Sequence, residues 1–260
     1  FPQSTPVLSA AFDDSGSRFV TATRDNAARV WSLGTGDPAL VAKLESQGST
    51  GWVWKAAFSP DGARVVTASG GHKASIWSLD PPGSTALVGH ADQVVSAAFN
   101  PDGTRVVTAS LDGTARIWDL DRPEHETILR HDDAVNDAAY SSNGVWVVTA
   151  SKDRTARVWS ARSGIERLTL RHESPVHAAA FSPGPQAGRD DPAYVATGSD
   201  DGAVRLWRLN FPAFVAYAKN VSTACLTQEQ RVRCLEESRA QARNRFEQCE
   251  RRYGRTPLAE

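Results

Sequence analysis

The sequence predicts an all-β chain in which one four-stranded unit recurs five times, followed by a short helical extension. Three observations carry that reading. Trp31, Trp77, Trp118, Trp159 and Trp207 recur at spacings of 46, 41, 41 and 48 residues, a period typical of stacked supersecondary units. The same short apolar runs surround each tryptophan, bounded by Pro, Asp and Gly. Those runs are apolar on successive residues instead of alternating, which marks strands buried on both faces.

The elements follow in order within each unit. An apolar opener supplies the first strand: Leu8-Ser-Ala-Ala-Phe12, Trp54-Lys-Ala-Ala-Phe58, Val95-Ser-Ala-Ala-Phe99, Asn136-Asp-Ala-Ala-Tyr140 and His177-Ala-Ala-Ala-Phe181. A turn follows, clearest in Ser59-Pro-Asp-Gly62 and Asn100-Pro-Asp-Gly103. The second strand reads Val-Val-Thr-Ala-Ser at 65–69, 106–110 and 147–151. A second tight turn, as in Leu111-Asp-Gly-Thr114, leads into the tryptophan strand. Outer strands are expected near 39–44, 85–88, 126–130 and 166–170, and none after Trp207, where Asn210-Phe-Pro212 begins something else. Four short antiparallel strands sandwiched between like units describe a propeller blade. The blades are expected at 7–38, 53–84, 94–125, 135–165 and 176–209 within a domain spanning 1–209. The first six residues contain two prolines and are poor material for a missing strand. The chain opens at Phe1 and contains no methionine. The expectation is therefore five blades of a larger ring in a longer protein.

These residues resemble the WD-repeat family of β-propellers over about 7–209. Trp118-Asp119 carries the eponymous dipeptide and Gly89-His90 the Gly-His that opens a repeat; elsewhere both are degraded. The resemblance implies a hydrogen-bonded tetrad in each blade: a histidine, a Ser or Thr of the second strand, an Asp of the next turn and the tryptophan. His90, Ser110, Asp112 and Trp118 fit it. So do His131, Ser151, Asp153 and Trp159, and His172, Ser199, Asp201 and Trp207. The first repeat keeps Thr23, Asp25 and Trp31 without a histidine. The second keeps Ser69 and Trp77, with Gly71 where Asp belongs, so these two blades are expected to be the looser ones.

Aligning the repeats separates scaffold columns from columns that differ. One differing column contains Trp52, Gln93, Ala134 and Pro175; a second, Trp54, Val95, Asn136 and His177; a third, Arg24, Gly70, Leu111, Lys152 and Asp200. The resemblance places all three on the face where partners bind. The candidate partner-binding residues are therefore Trp52, Trp54, Arg24, Gln93, Leu111, Asn136, Lys152 and His177. Trp52 and Trp54 flank buried Val53, so strand alternation points both indoles away from it. They are read as interface anchors or as packing for the insertion at 47–50. Trp146 replaces an arginine found at 18, 64 and 105 and is a lesser candidate on the opposite face.

Composition excludes several classes. A net charge of −1 argues against a dedicated nucleic-acid binder. No apolar run is long enough to span a membrane, and no signal peptide is visible. Cys225, Cys234 and Cys249 all fall in the last 36 residues, which is no secreted disulfide framework; a cytoplasmic location is expected. No phosphate loop, nucleophile elbow or His-Glu-x-x-His occurs. His172-Glu173 with His177 has the wrong spacing and Pro175 between. No catalytic residue, metal or cofactor is expected. The loop at 184–192 is read as a solvated insertion.

From residue 210 the period disappears. Thr227-x-x-Gln230 and Ser238-x-x-Gln241 read as capping boxes, and Ala242, Phe246, Cys249 and Tyr253 share one helical face. The arginines there are interspersed with glutamates, as on a solvated helix. Ala224-Cys-Leu-Thr227 and Cys249-Glu-Arg-Arg252 look like an extension of large bacterial WD-repeat signalling proteins. Residues 210–260 are therefore expected to form a helical extension. The function this implies is a non-catalytic protein-interaction or ligand-sensing module, engaging a protein or peptide partner and attached to an upstream effector domain. A purely structural spacer is the alternative.

Overall fold

A computed structural model describes residues 5–34, 36–45, 51–122, 125–183 and 194–209. The chain divides into a unit of 1–209 and one of 210–260; all described residues lie in the first. The expected helices, the three cysteines, the insertion at 47–50 and the loop at 184–192 lie outside them.

The described residues form five antiparallel sheets, each a meander in chain order. Sheet 1 contains β1 (Val7–Phe12), β2 (Arg18–Thr23), β3 (Ala27–Ser32) and β4 (Ala39–Glu45). Sheet 2 contains β5 (Val53–Phe58), β6 (Arg64–Ser69), β7 (Lys73–Leu79) and β8 (Pro82–Val88). Sheet 3 contains β9 (Val94–Phe99), β10 (Arg105–Ser110), β11 (Thr114–Asp119) and β12 (Glu126–Arg130). Sheet 4 contains β13 (Val135–Tyr140), β14 (Trp146–Ser151), β15 (Thr155–Ser160) and β16 (Glu166–Arg171). Sheet 5 contains β17 (Val176–Phe181), β18 (Tyr194–Ser199) and β19 (Val204–Arg208). This is a β-propeller architecture, and among the described residues there is no helix. One outer strand begins earlier than expected: β8 starts at Pro82, which an outermost strand tolerates because the missing N–H faces away from the ladder.

The turns are built by local chemistry. Gly62 and Gly103 close the first turns of sheets 2 and 3 with φ of 66° and 71°, a region that favours glycine. Each donates its N–H back to the residue opening the turn, Ser59 at 2.8 Å and Asn100 at 3.0 Å.

The core is a series of interfaces between successive sheets. Val20, Ala22, Ala28, Val30 and Leu44 of sheet 1 pack on Val53, Ala56 and Val65 of sheet 2. The opposite face of sheet 2, with Val66, Ile76 and Leu87, packs on Val94, Phe99 and Trp118. Sheet 3 then offers Val107, Ile117 and Leu129 to Val135, Val147 and Trp159. Consecutive residues such as Val106 and Val107 are both buried because each serves a different interface. Each fully buried Val or Leu contributes about 1.5–3 kcal/mol. The end faces differ. Phe12 is 67% exposed where its counterpart Phe99 is 9% exposed, and Leu206 is 68% exposed where Ile117 is 3% exposed.

Cross-sheet arginines tie the turns together. Arg18 donates to the Gly62 carbonyl at 2.8 Å and lies 5.3 Å from the Phe58 ring. Arg64 repeats the contact one sheet on, with Gly103 at 2.7 Å and Phe99 at 5.4 Å.

Candidate functional site

The polar tetrads set the geometry of one end of each sheet. In sheet 3, Nδ1 of His90 donates to Asp112 at 2.8 Å, and Nε2 lies 2.8 Å from the Thr108 hydroxyl. The indole N–H of Trp118 donates to the same hydroxyl at 2.9 Å. Sheet 4 repeats this with His131, Asp153, Thr149 and Trp159 at 2.8, 2.7 and 2.8 Å. Burial holds both imidazoles below their usual pKa, against the pull of Asp112 and Asp153. They are therefore neutral, and the threonine hydroxyl donates to Nε2. Burial pushes Asp112 up, but bonds from Thr114, the Ala91 N–H and His90 hold it at about 2.

The second-strand hydroxyl of the tetrad is Thr108 or Thr149, not Ser110 or Ser151. Trp118 stands opposite Val106 in the ladder, and its indole reaches Thr108, two residues along the strand. Ser110 lies two residues further. It accepts the Asp112 N–H at 3.1 Å and donates to the Asp92 carbonyl at 3.1 Å, fixing the turn. Ser151 does the same for Asp153 and Asp133.

Sheet 5 departs further from expectation. Trp207 and His172 meet Thr197 at 2.8 and 3.1 Å, but His172 does not bond Asp201. Arg205 holds Asp201 at 2.7 Å, with Ser199 donating to Asp201 at 2.6 Å. In sheet 4 the equivalent Arg157 also reaches Asp153, at 3.2 Å, but there His131 keeps its bond to the carboxylate. Sheet 1 uses the same replacement as sheet 5: Arg29 holds Asp25 at 2.5 Å and keeps its carboxyl at about 2, and Trp31 donates to Thr21. In sheet 1 the Asp25 carboxylate is thus paired although no histidine is present. Sheet 2 retains only Trp77 on Thr67 at 2.9 Å, with Ser69 on the Lys73 carbonyl.

The three differing columns meet at this same end. Backbone bonds link the first and third within each sheet: Gly70 to Trp52, Leu111 to Gln93, Lys152 to Ala134 and Asp200 to Pro175, each between 2.9 and 3.0 Å. In sheet 1, Arg24 donates to Pro6 at 3.2 Å. The second column is a recurrent bulge. The pairing of first and second strands skips Leu8, Trp54, Val95, Asn136 and His177 in turn. A bulge re-aims the extra side chain, so simple alternation around Val53 does not describe Trp54.

At the first three sheets these positions converge on one cluster. Arg24 lies over the Trp52 ring, 4.2 Å from its centroid. Trp52 meets Trp54 edge-on at 5.0 Å between centroids. The Trp54 N–H donates to Oε1 of Gln93 at 3.2 Å. Trp52 is 40% exposed. The remaining candidates are apart from this cluster. Asn136 donates to the Val176 carbonyl at 2.8 Å, a bond between sheets 4 and 5. His177 pairs with Asp200 at 2.6 Å, both exposed. Lys152 is exposed and Leu111 half-buried.

Sequence reasoning missed one network. Lys55 of β5 reaches Asp137 of β13 at 2.8 Å and Ser96 of β9 at 3.1 Å, while Ser96 donates to Asp137 at 2.8 Å. The three share one repeat column, immediately after the bulge, and opposite charges two repeats apart were its signal. Among the described residues no group of His, Cys, Asp and Glu is arranged to hold a metal ion.

Residues 1–32, 40–78, 82–119, 124–160 and 165–208 each match the family model described as WD domain, G-beta repeat. A search of the curated proteins finds no match to the chain.

Proposed function

The chain belongs to the WD domain, G-beta repeat family, and from that membership, which makes it a protein-interaction propeller module, we propose that its partner docks on the rim formed by Arg24, Trp52, Trp54 and Gln93. One observation carries this. Trp52 is a large apolar side chain left open to solvent at the end where the variable columns meet. It is also in contact with the Arg24 guanidinium and the Trp54 ring, which restrict its rotamers. A restricted aromatic loses less freedom on binding, and exposed tryptophans are frequent anchors worth about 2 kcal/mol or more. The docking role needs no catalytic group, and the chain is read as non-catalytic.

The wider setting is also a proposal. The bare apolar faces at Phe12 and Leu206 support further blades of the same kind beside these five. The tail resemblance supports a bacterial signalling protein with an effector domain upstream, acting in the cytoplasm. A spacer role has support of its own: Trp54 to Gln93 and Asn136 to Val176 each join neighbouring sheets.

The test is a photoreactive amino acid placed at position 111, beside Gln93 at the rim, and, separately, at 146 in the full chain within its native cells. Docking predicts discrete protein adducts from position 111 that vanish with Trp52→Ala and are absent from position 146. Equal or no adducts at both positions would favour the spacer.

A further inference from the structure

Resting on that docking reading, we propose that the rim selects a peptide carrying an Asp or Glu carboxylate next to an apolar side chain, with Arg24 as the group that reads the carboxylate.

Three arginines that follow the tetrad aspartates are already held by acids, whereas Arg154 of the sheet 4 turn pairs with no acid among the described residues and lies over no ring there. Arg29 is bound by Asp25, Arg157 by Asp153 and Asp132, and Arg205 by Asp201. Arg24 is different. Its guanidinium makes no hydrogen bond or ion pair with the described residues and lies over the Trp52 ring, 4.2 Å from the centroid. Stacking uses the guanidinium face and leaves its in-plane N–H donors available. Those donors form a fork that matches a carboxylate through two parallel bonds. Stacking also fixes the fork in advance, so less freedom is lost when an acid binds.

The neighbouring surface supplies the apolar half. Trp52 and Trp54 meet edge-on, and Trp54 is anchored by Gln93. Sheet 2 also lacks a side chain that the other sheets carry. Where sheets 3 and 4 have Leu111 and Lys152, sheet 2 has Gly70, whose absent Cβ would stand 3.5 Å from Gln93 Oε1 and from the Trp52 backbone nitrogen. A side chain there would crowd Gln93, the acceptor of the Trp54 N–H; glycine leaves that edge of the rim open. The result is a cationic fork beside an aromatic floor, complementary in charge and shape to an acidic residue flanked by an apolar one.

The experiment is selection of an unphosphorylated random dodecapeptide display library on the full chain, repeated on Arg24→Gln, Trp52→Ala and Gly70→Leu. The expected result is enrichment of Asp or Glu beside an aromatic or aliphatic residue. Binding of the selected peptides should weaken at least tenfold in all three variants, and more at low salt than at high salt for Arg24→Gln. Selection on Arg24→Gln should still yield apolar peptides but lose the acidic preference. Peptides that need Trp52 but show no acidic preference, or an acidic preference unchanged by Arg24→Gln, would overturn the proposal while leaving the docking reading intact. Selection that yields nothing dependent on Trp52 would overturn both. Gly70→Leu keeps the test decisive if Trp52→Ala fails to fold, since it crowds the Gln93 edge of the rim without removing the indole.

Discussion

Arg205 donates to Nδ1 of His172 at 3.1 Å while its other terminal nitrogen holds Asp201. One arginine has displaced an imidazole from its carboxylate. The consequence is a reversed tautomer. In sheets 3 and 4 the carboxylate accepts a hydrogen bond from Nδ1–H, and Nε2 accepts from threonine. In sheet 5, Nδ1 must accept from Arg205, so Nε2 carries the proton and donates to Thr197.

Nitrogen-15 spectra should therefore show His90 and His131 protonated at Nδ1 and His172 at Nε2 at neutral pH. Arg205→Ser, which copies Ser75 of sheet 2, should free Asp201 and return His172 to the Nδ1 form. Three identical tautomers in the unmodified chain would contradict the assignment.

The tetrad hydroxyl makes a second prediction. Thr108→Val leaves both the Trp118 N–H and Nε2 of His90 without a partner in a buried site, and should cost about 2 kcal/mol or more. Ser110→Ala removes bonds only to the turn backbone and should cost about 1 kcal/mol. Urea denaturation of the two variants gives the order directly.

Acid should destabilise the unit in two stages. His90 and His131 have folded pKa values below the unfolded value of 6.5, so the unfolded chain binds protons first as pH falls. Their contribution is complete above pH 6.5 and is lost below it. Asp112 and Asp153 sit at about 2 against 3.8 unfolded, so theirs is lost between those values. The melting temperature should fall on acidification from pH 7 to 5, and fall less steeply in His90→Gln with His131→Gln.

The cross-sheet arginines should be unequal. Arg64→Ala loses a 2.7 Å bond to Gly103 and the face of Phe99, about 1–2 kcal/mol. Among the described residues Arg105 makes a 3.4 Å contact with the Ala161 carbonyl and a 4.0 Å ion pair to Asp119, both weaker, and its loss should cost less. Chemical denaturation of both alanine variants makes the comparison.

Much of this architecture is legible in the sequence because it is written locally. Val65 and Val66, followed by Thr67 and Ser69, specify a strand buried on both faces, and Ser59-Pro-Asp-Gly62 specifies its turn. What is not legible depends on geometry between strands. Thr108 and Ser110 occupy the same face, and only the lean of the Trp118 indole separates them. The bulge at Trp54 leaves no local mark, since the skipped residue is Val95 in one sheet and Asn136 in another. Arg24 and Trp52 belong to different sheets, and their stacking follows from how those sheets pack. The arginine partners of Asp25 and Asp201 were not legible either, because an arginine also stands four residues after Asp112 and Asp153, where the histidine keeps its bond.

The docking account is tested most directly by hydrogen–deuterium exchange on the full chain, with and without a partner captured at position 111. Protection concentrated at residues 24, 52–54, 70 and 93 is the predicted result. Protection at the opposite turns, residues 13–16, 59–62 and 100–103, with none at the Trp52 rim, would contradict it.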